Sequence, residues 1–404
     1  MVGVAAHPHP VEQVYAEDKP AGELIAIGHF PPPVHGMAVA VDAFVRLLEE
    51  AAELRSVKVT RVDIASEHGH KGVRHHMQRL VRFGRAIHLL LRARGRVCLY
   101  ASVDAGLGML YTLGIVVIAR LTRTPLYLHH HAADYLNARN VRFRAVCAVG
   151  SQVVCHLVGC ERMADSLRLS YPSARQVEIL PIMYALEGEP AQDLQSRGTR
   201  RQAPIVLGHL SNLSLAKGLE SVFDTAELMR ARGRTCELVV AGPPCTEADR
   251  DVLERRLARA GRSARYLGPV FGEERDSFFN AVDVFLFPSR YRHESFGLVA
   301  GEALVRGCPV VTFENACLNR DLVSGAGLVL PGEEAFSDRA TEWIVSAWAD
   351  PVQYDRIHEA AADFARKRDA AVEQARHLSR AIVHRTLSAR VRRLKLWRAR
   401  RSRC

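Results

Sequence analysis

The sequence predicts an α/β protein made of two doubly wound halves joined by a polar linker, and three observations carry that reading. The chain has 404 residues, more than one ordinary core needs and enough for two domains of about 150 to 200 residues each. Short apolar runs of strand length alternate with amphipathic helical runs in both halves. Between the halves lies LEGEPAQDLQSRGTRRQAP, residues 186–204, which is polar and without period.

In chain order, residues 1–20 read as a disordered extension. ELIAIGHF (23–30) has a strand pattern, PPPVHGM makes a turn, and a helical run follows over 38–54. Strand-like pieces recur at 57–65, 97–102 and 125–130 in the first half. They resume at 204–210, 237–241, 283–288, 309–313 and 327–330 in the second. Strands that alternate with helices in this way build a parallel sheet covered on both faces. The reading divides the chain into an extension (1–20), a first domain (21–185), a linker (186–203), a second domain (204–375) and a C-terminal helix with a basic tail (376–404).

The formal charge of +11 is not spread over the fold. Residues 385–403 hold nine Arg or Lys and no acid, and setting those nine aside leaves +2. A nearly neutral body with one basic end fits an interaction tail better than a nucleic-acid groove. The nine cysteines form no C-x-x-C pair, and Cys98, Cys147, Cys155, Cys236 and Cys308 sit in apolar runs as small hydrophobes, so a reducing cytoplasm is expected. The longest apolar stretch, 105–119, is too short to span a bilayer. No G-x-G-x-x-G follows a strand, which argues against a dehydrogenase. Asp249, Arg250 and Asp251 spell D-x-D, but they lie at what reads as the exposed start of a helix, and the match is taken as chance.

The richest segment is HESFGLVAGEALVRGCPV, residues 293–310. An apolar run, VFLFPS, precedes it as a buried strand. An apolar stripe at helical spacing follows Gly297 and stops at Gly307, so the segment reads as strand, glycine turn and helix, with the helix beginning near Phe296. The free N–H groups of Phe296, Gly297 and Leu298 would then converge where the helix dipole favours an anion. Glu294 would stand in the mouth of that site, and Glu302 would face the pocket, able to take a pair of hydroxyls. Spacing alone also fits a helix-start acid and a solvated helix glutamate.

The whole string, F-P-S, then E-S-F-G-L, E-A-L and G-x-P-V-V, closely resembles the nucleotide-sugar site of the family 4 (group 1) glycosyltransferases. The resemblance covers most of residues 23–375, strongly in the second half and loosely in the first. It implies the fold called GT-B, in which two Rossmann-like domains face each other across a cleft. It further implies transfer of a hexose from a nucleoside-diphosphate sugar to a hydroxyl acceptor, with retention of configuration, no metal ion and no cofactor. On this resemblance Lys217 matches a lysine on the donor pyrophosphate. Asn212 stands where the family has an arginine, which removes one positive charge. Gly242 and the loop with Gly268 and Val270 would line the base pocket, and Gly36 would let backbone approach the phosphates. His131, at the end of the run YLHHHAADYL, would point at the transferring sugar, with Asp134 a weaker acceptor contact and His129 and His130 structural. Surface polysaccharide or glycolipid synthesis is the expected setting. The expected partners are a nucleotide-sugar donor, a glycan or glycolipid acceptor and an anionic membrane surface. That surface would be met by the basic tail and by the helix KGVRHHMQRLVRFGRAIHLLL, where Arg74, Gln78, Arg82 and Arg85 lie opposite Met77, Leu80 and Ile87. Two rival readings stay open. One is a nucleotide-sugar epimerase of the same architecture, and the other a non-catalytic partner subunit.

Overall fold

A computed structural model describes residues 20–32, 34–64, 73–92, 96–188, 204–332 and 334–389. The extension before residue 20, most of the linker and the tail beyond residue 389 lie outside the described residues.

Each half is a six-stranded parallel sheet. The first holds β1 (Gly22–Gly28), β2 (Val57–Asp63), β3 (Val97–Ser102), β4 (Leu126–His129), β5 (Val154–Val158) and β6 (Gln176–Ile179), in the order β2-β1-β3-β4-β5-β6. The second holds β7 (Ile205–Leu210), β8 (Cys236–Ala241), β9 (Ala264–Tyr266), β10 (Val284–Phe287), β11 (Val310–Phe313) and β12 (Gly327–Leu330), in the order β12-β11-β10-β7-β8-β9. Strands β5, β6 and β9 are absent from the sequence reading, and each has a reason. His156 interrupts the apolar run of β5, where it is buried against His130 with Nδ1 and Nε2 3.0 Å apart. Edge strand β6 alternates exposed Gln176 and Glu178 with half-buried residues, and β9 has only three residues.

The central strands are buried on both faces: every residue of β3, β4, β5, β10 and β11 is buried, as helix-covered parallel strands require. The final helix, Pro351–Ser388, is continuous through residue 375. It starts in the second domain, packs against Leu298–Val305, and crosses back onto Gly36–Glu53 and β1 of the first. One apolar cluster therefore runs through both domains, joining Phe44 and Leu99 to Leu186, Phe296, Leu304 and Phe364. A second cluster, around Leu207, Phe223, Leu238 and Trp348, belongs to the second domain alone.

Strand order locates the site. In an open parallel sheet the ligand crevice lies beyond the carboxyl ends of the strands, where the order reverses. In the first sheet that point is between β1 and β3, and in the second between β7 and β10. The loops leaving those four strands carry His29 to Gly36, Asp104, Ser211 to Gly218 and Pro288 to Gly297.

Candidate functional site

The loop after β7 is held by side chains from the next crossover. Thr246 caps the helix Glu247–Ala260, and Asp249 accepts from the Thr246 hydroxyl (2.6 Å) and from the amide of Leu215 (3.1 Å). Asp249 is 7% exposed, so the D-x-D segment is not simply an exposed helix start. Its first acid is a buried tie that shapes the turn Leu215–Lys217, because a capping-box carboxylate can reach amides in a neighbouring loop. Gly218 then turns with φ 84°, and a Cβ there would meet the carbonyl of Pro288 at 2.5 Å. That close approach brings Lys217 against the loop from β10.

Lys217 Nζ forms an ion pair with Glu294 Oε2. The ammonium also lies 4.9 Å from the ring centre of Tyr291 and 5.8 Å from that of Phe287. Ser289 Oγ is 3.5 Å from the same carboxylate oxygen, and Glu294 N donates to Tyr291 O at 2.8 Å. Gly297 follows with φ 80°, where a Cβ would stand 2.3 Å from the Phe287 ring. It is the N-cap of the helix Leu298–Val305, so the helix begins two residues after Phe296, the expected start. Ala300 N and Gly301 N donate to the Gly297 carbonyl (2.9 and 3.3 Å), while the amides of Leu298 and Val299 precede any acceptor within the helix. Phe296 is buried at 2% exposure; its ring packs on Gly301, and its carbonyl accepts from Asn315 Nδ2 at 3.2 Å.

Glu302, expected to face the pocket, is held by a neighbouring helix. It is 1% exposed and ion-paired with Arg275 from the helix Gly272–Ala281. One turn on, Arg306 donates to Glu302 O (3.3 Å) and to Glu187 O (3.0 Å) and pairs with Asp276. Burial pushes the Glu302 carboxyl up to about 7, against the opposing pull of Arg275 and Arg306. The sequence reading missed Arg275 because it lies 27 residues from Glu302, and only packing turns the two together.

The remaining second-domain residues fall around the same crevice. Asn212 is exposed in the loop after β7. Gly242, with φ 108°, follows β8 so closely that a Cβ would strike Ser211 O at 1.8 Å, and its amide donates to Gly268 O at 2.8 Å. Val270 is buried at 7% exposure.

The first domain meets this site directly. Gly36 opens the helix Gly36–Glu53 under the His35 cap, and a Cβ on it would lie 3.7 Å from Leu298. Ser295 Oγ donates to His131 O at 2.7 Å, and His293 Nδ1 lies 3.3 Å from Asp134 Oδ1. His131 Nε2 is buried without a hydrogen-bond partner among the described residues. Burial first, then the neighbouring His35 and His29, push the His131 ring down to about 3, so it is neutral near pH 7. His130 is spent inward, on Tyr135 OH and His156, and His129 Nδ1 meets Tyr100 OH (2.7 Å) while its Nε2, like that of His131, is buried without a partner among the described residues. The sequence reading did not single out His29 and Asp104, which meet at 2.8 Å at the first-sheet crevice, or His293. Their signal is positional: all three follow strands at the reversal points.

Residues 204–345 match the family model described as glycosyl transferases group 1. The second domain is a group 1 glycosyltransferase domain. A curated relative, the D-inositol 3-phosphate glycosyltransferase of Corynebacterium urealyticum, is 31% identical over 152 residues, covering 36% of this chain and 33% of that protein. The chain thus spans about a third of the length of the curated relatives it matches. Among solved structures, sucrose-phosphate synthase from Thermosynechococcus elongatus superposes with a TM-score of 0.66 at 16% identity, over 90% of this chain and 99% of that one. Anabaena HepE in complex with UDP-glucose gives 0.62 at 14%, over 91% and 99%. The glycosyltransferase domain and the domain before it together have the GT-B fold. No helix among the described residues is long and apolar enough to cross a membrane, and none of their His, Cys, Asp and Glu side chains group in threes to hold a metal ion.

Proposed function

We propose that the chain is a retaining, metal-independent glycosyltransferase that moves a hexose from a nucleoside-diphosphate sugar to a hydroxyl acceptor. The observation that carries this reading is the Lys217–Glu294 pair at the β7/β10 reversal, beside the helix N-terminus at Gly297. A diphosphate entering the crevice would take the Lys217 ammonium and the amides after Gly297. Glu294 would be freed to accept hydrogen bonds from the sugar hydroxyls. The glycosidic C1–O bond to phosphate then breaks and the acceptor oxygen bonds C1, with the acceptor proton passing to the leaving phosphate. Lys217 and the amides would stabilise that leaving charge. Neutral His131, with one ring nitrogen unused, would hydrogen-bond the sugar from the first domain.

HepE, with UDP-glucose in its structure, supports trying UDP-glucose first as donor. The test is incubation with UDP-glucose, UDP-N-acetylglucosamine and GDP-mannose, with and without a pool of glycan and glycolipid acceptors. The reading expects glycoside product only when an acceptor is present, and no product from Glu294→Gln. Epimer or free sugar from donor alone would favour the epimerase reading. Nucleotide binding without turnover would favour a non-catalytic subunit.

A glycolipid or surface polysaccharide acceptor is favoured by the first domain's outer face. Leu80, Val81 and Leu91 on the helix Val73–Arg92, and Leu107, Leu110 and Leu121 beside it, are all more than half exposed. From the same helix Ala86 and Leu90 are buried, and Phe83 packs toward Gly114. The side chains of Arg74, Met77 and Gln78 lie outside the described residues. Arginines with exposed leucines suit an anionic leaflet on the cytoplasmic side. Sedimentation with anionic liposomes at low salt, and release at high salt, is the expected outcome; retention in the supernatant at low salt would point to a soluble acceptor.

A further inference from the structure

We propose that Cys160 and Cys317 form a thiol–disulfide latch across the cleft, a covalent modification site whose state governs access to the donor site. This rests on the glycosyltransferase reading for its effect on the nucleotide, but not for the latch itself. The two residues are 157 positions apart and in different domains, with Cα atoms 5.7 Å apart and their sulfurs bonded. Cys160 is the N-cap of the helix Glu161–Ser170 in the first domain, and Cys317 lies in the loop after β11 in the second. That Cα spacing is in the middle of the range a disulfide accepts.

The loop that carries Cys317 is the support of the donor motif. Cys317 N donates to Ser295 O at 2.7 Å, Asn315 Nδ2 donates to Phe296 O at 3.2 Å, and Asn315 also holds the loop by accepting from Leu318 N at 2.8 Å. Beside the sulfurs, Arg162 pairs with Glu314 across the domains at 3.0 Å. A bond at this point therefore ties the first domain to the residues that set Glu294, Ser295 and Phe296. With the non-covalent ties Ser295–His131 and His293–Asp134 nearby, the cross-link holds the cleft in its closed form. Ion pairs and single hydrogen bonds of this kind open readily, whereas a disulfide does not.

The chemistry is thiol–disulfide exchange with a low-molecular-weight disulfide. Cys160, half-buried and the more accessible of the two, attacks as thiolate and forms a mixed disulfide, expelling one thiol. Cys317, 3% exposed, then attacks the Cys160 sulfur and expels the second thiol. One external disulfide is reduced to two thiols as one protein disulfide forms. The remaining described cysteines do not compete for this pairing. Cys98, Cys147, Cys155, Cys236 and Cys308 are buried thiols, and Cys245 is exposed but alone.

The full chain is equilibrated in oxidised or reduced glutathione and quenched with acid and iodoacetamide. Non-reducing peptide mapping should show a linked 160–317 peptide only after oxidation. Stopped-flow exchange of a fluorescent UDP should be about tenfold slower in the oxidised chain, with Cys160→Ser and Cys317→Ser fast in both conditions. Small-angle scattering, which needs no nucleotide, should show a wider distribution of dimensions in the reduced chain and in both variants. A missing 160–317 peptide, or identical scattering in the two redox states, would overturn the latch. Scattering that changes with redox state in a chain that binds no nucleotide would uphold the latch and count against the glycosyltransferase reading instead.

Discussion

Lys217 and Glu294, 77 residues apart, meet as an ion pair between the loops that leave β7 and β10. The pair keeps a cation and a carboxylate in place beside the helix N-terminus at Gly297, with Tyr291 and Phe287 rings against the ammonium. The two residues have different partners in the proposed reaction, so their removal should have different signatures. Lys217→Met should weaken nucleoside-diphosphate binding by about tenfold or more, the worth of a charge-assisted hydrogen bond. Glu294→Gln should leave that affinity within a few-fold and lower kcat by about a hundredfold, since its proposed contacts are to the sugar. Calorimetry and initial rates check both, and a Glu294→Gln enzyme with normal turnover would remove Glu294 from the mechanism.

If Asn212 takes the place of the arginine of the resembling family, as proposed, the phosphate end has one cation fewer. Because Asn212 is exposed in a loop already ordered by Asp249, an arginine there has room and a guanidinium fork that an amide lacks. Asn212→Arg should tighten diphosphate binding by about tenfold at low salt, with the gain shrinking as salt is raised. Weaker binding by titration calorimetry would assign Asn212 a contact of its own.

The parts of the site that are local in sequence were legible, and those made by packing were not. The strand, glycine turn and helix of residues 284–305 could be read because each step is written in adjacent residues: Pro288 ends the strand, Gly297 allows a positive φ, and the apolar stripe follows. The same locality could not show what Glu302 meets, because helical spacing gives a direction around the axis but not which neighbour fills it. Arg275 fills it. The pairs His29–Asp104 and Cys160–Cys317, 75 and 157 residues apart, carry no local pattern at all; the first needs β1 and β3 side by side in one sheet, and the second needs both domains packed together. Strand β5 was lost for a related reason, since His156 looks polar in sequence and is satisfied only by His130 in the folded core.

Glu302 gives a pH test of this packing. Its carboxyl is raised from 4.5 to about 7 by burial, so the folded state holds the proton more tightly than the unfolded state. The stabilising contribution is full below about pH 4.5 and is lost as pH rises through about 7. The neutral variant Glu302→Gln lacks this loss. Its stability relative to the parent should therefore rise by about 3 kcal/mol between pH 4.5 and pH 8, as urea unfolding at a series of pH values would report. A relative stability that is flat or falls over that range would mean that Arg275 and Arg306 hold the carboxylate ionised throughout.

The central claim is that the β7/β10 crevice binds a nucleoside diphosphate through Lys217. Titration calorimetry of UDP, GDP and ADP into the reduced full chain and into Lys217→Met tests it most directly. The account predicts that at least one of the three binds the parent chain with one site per molecule, and that the variant binds it at least about tenfold more weakly. Binding of none of the three, or equal binding by the variant, would contradict it.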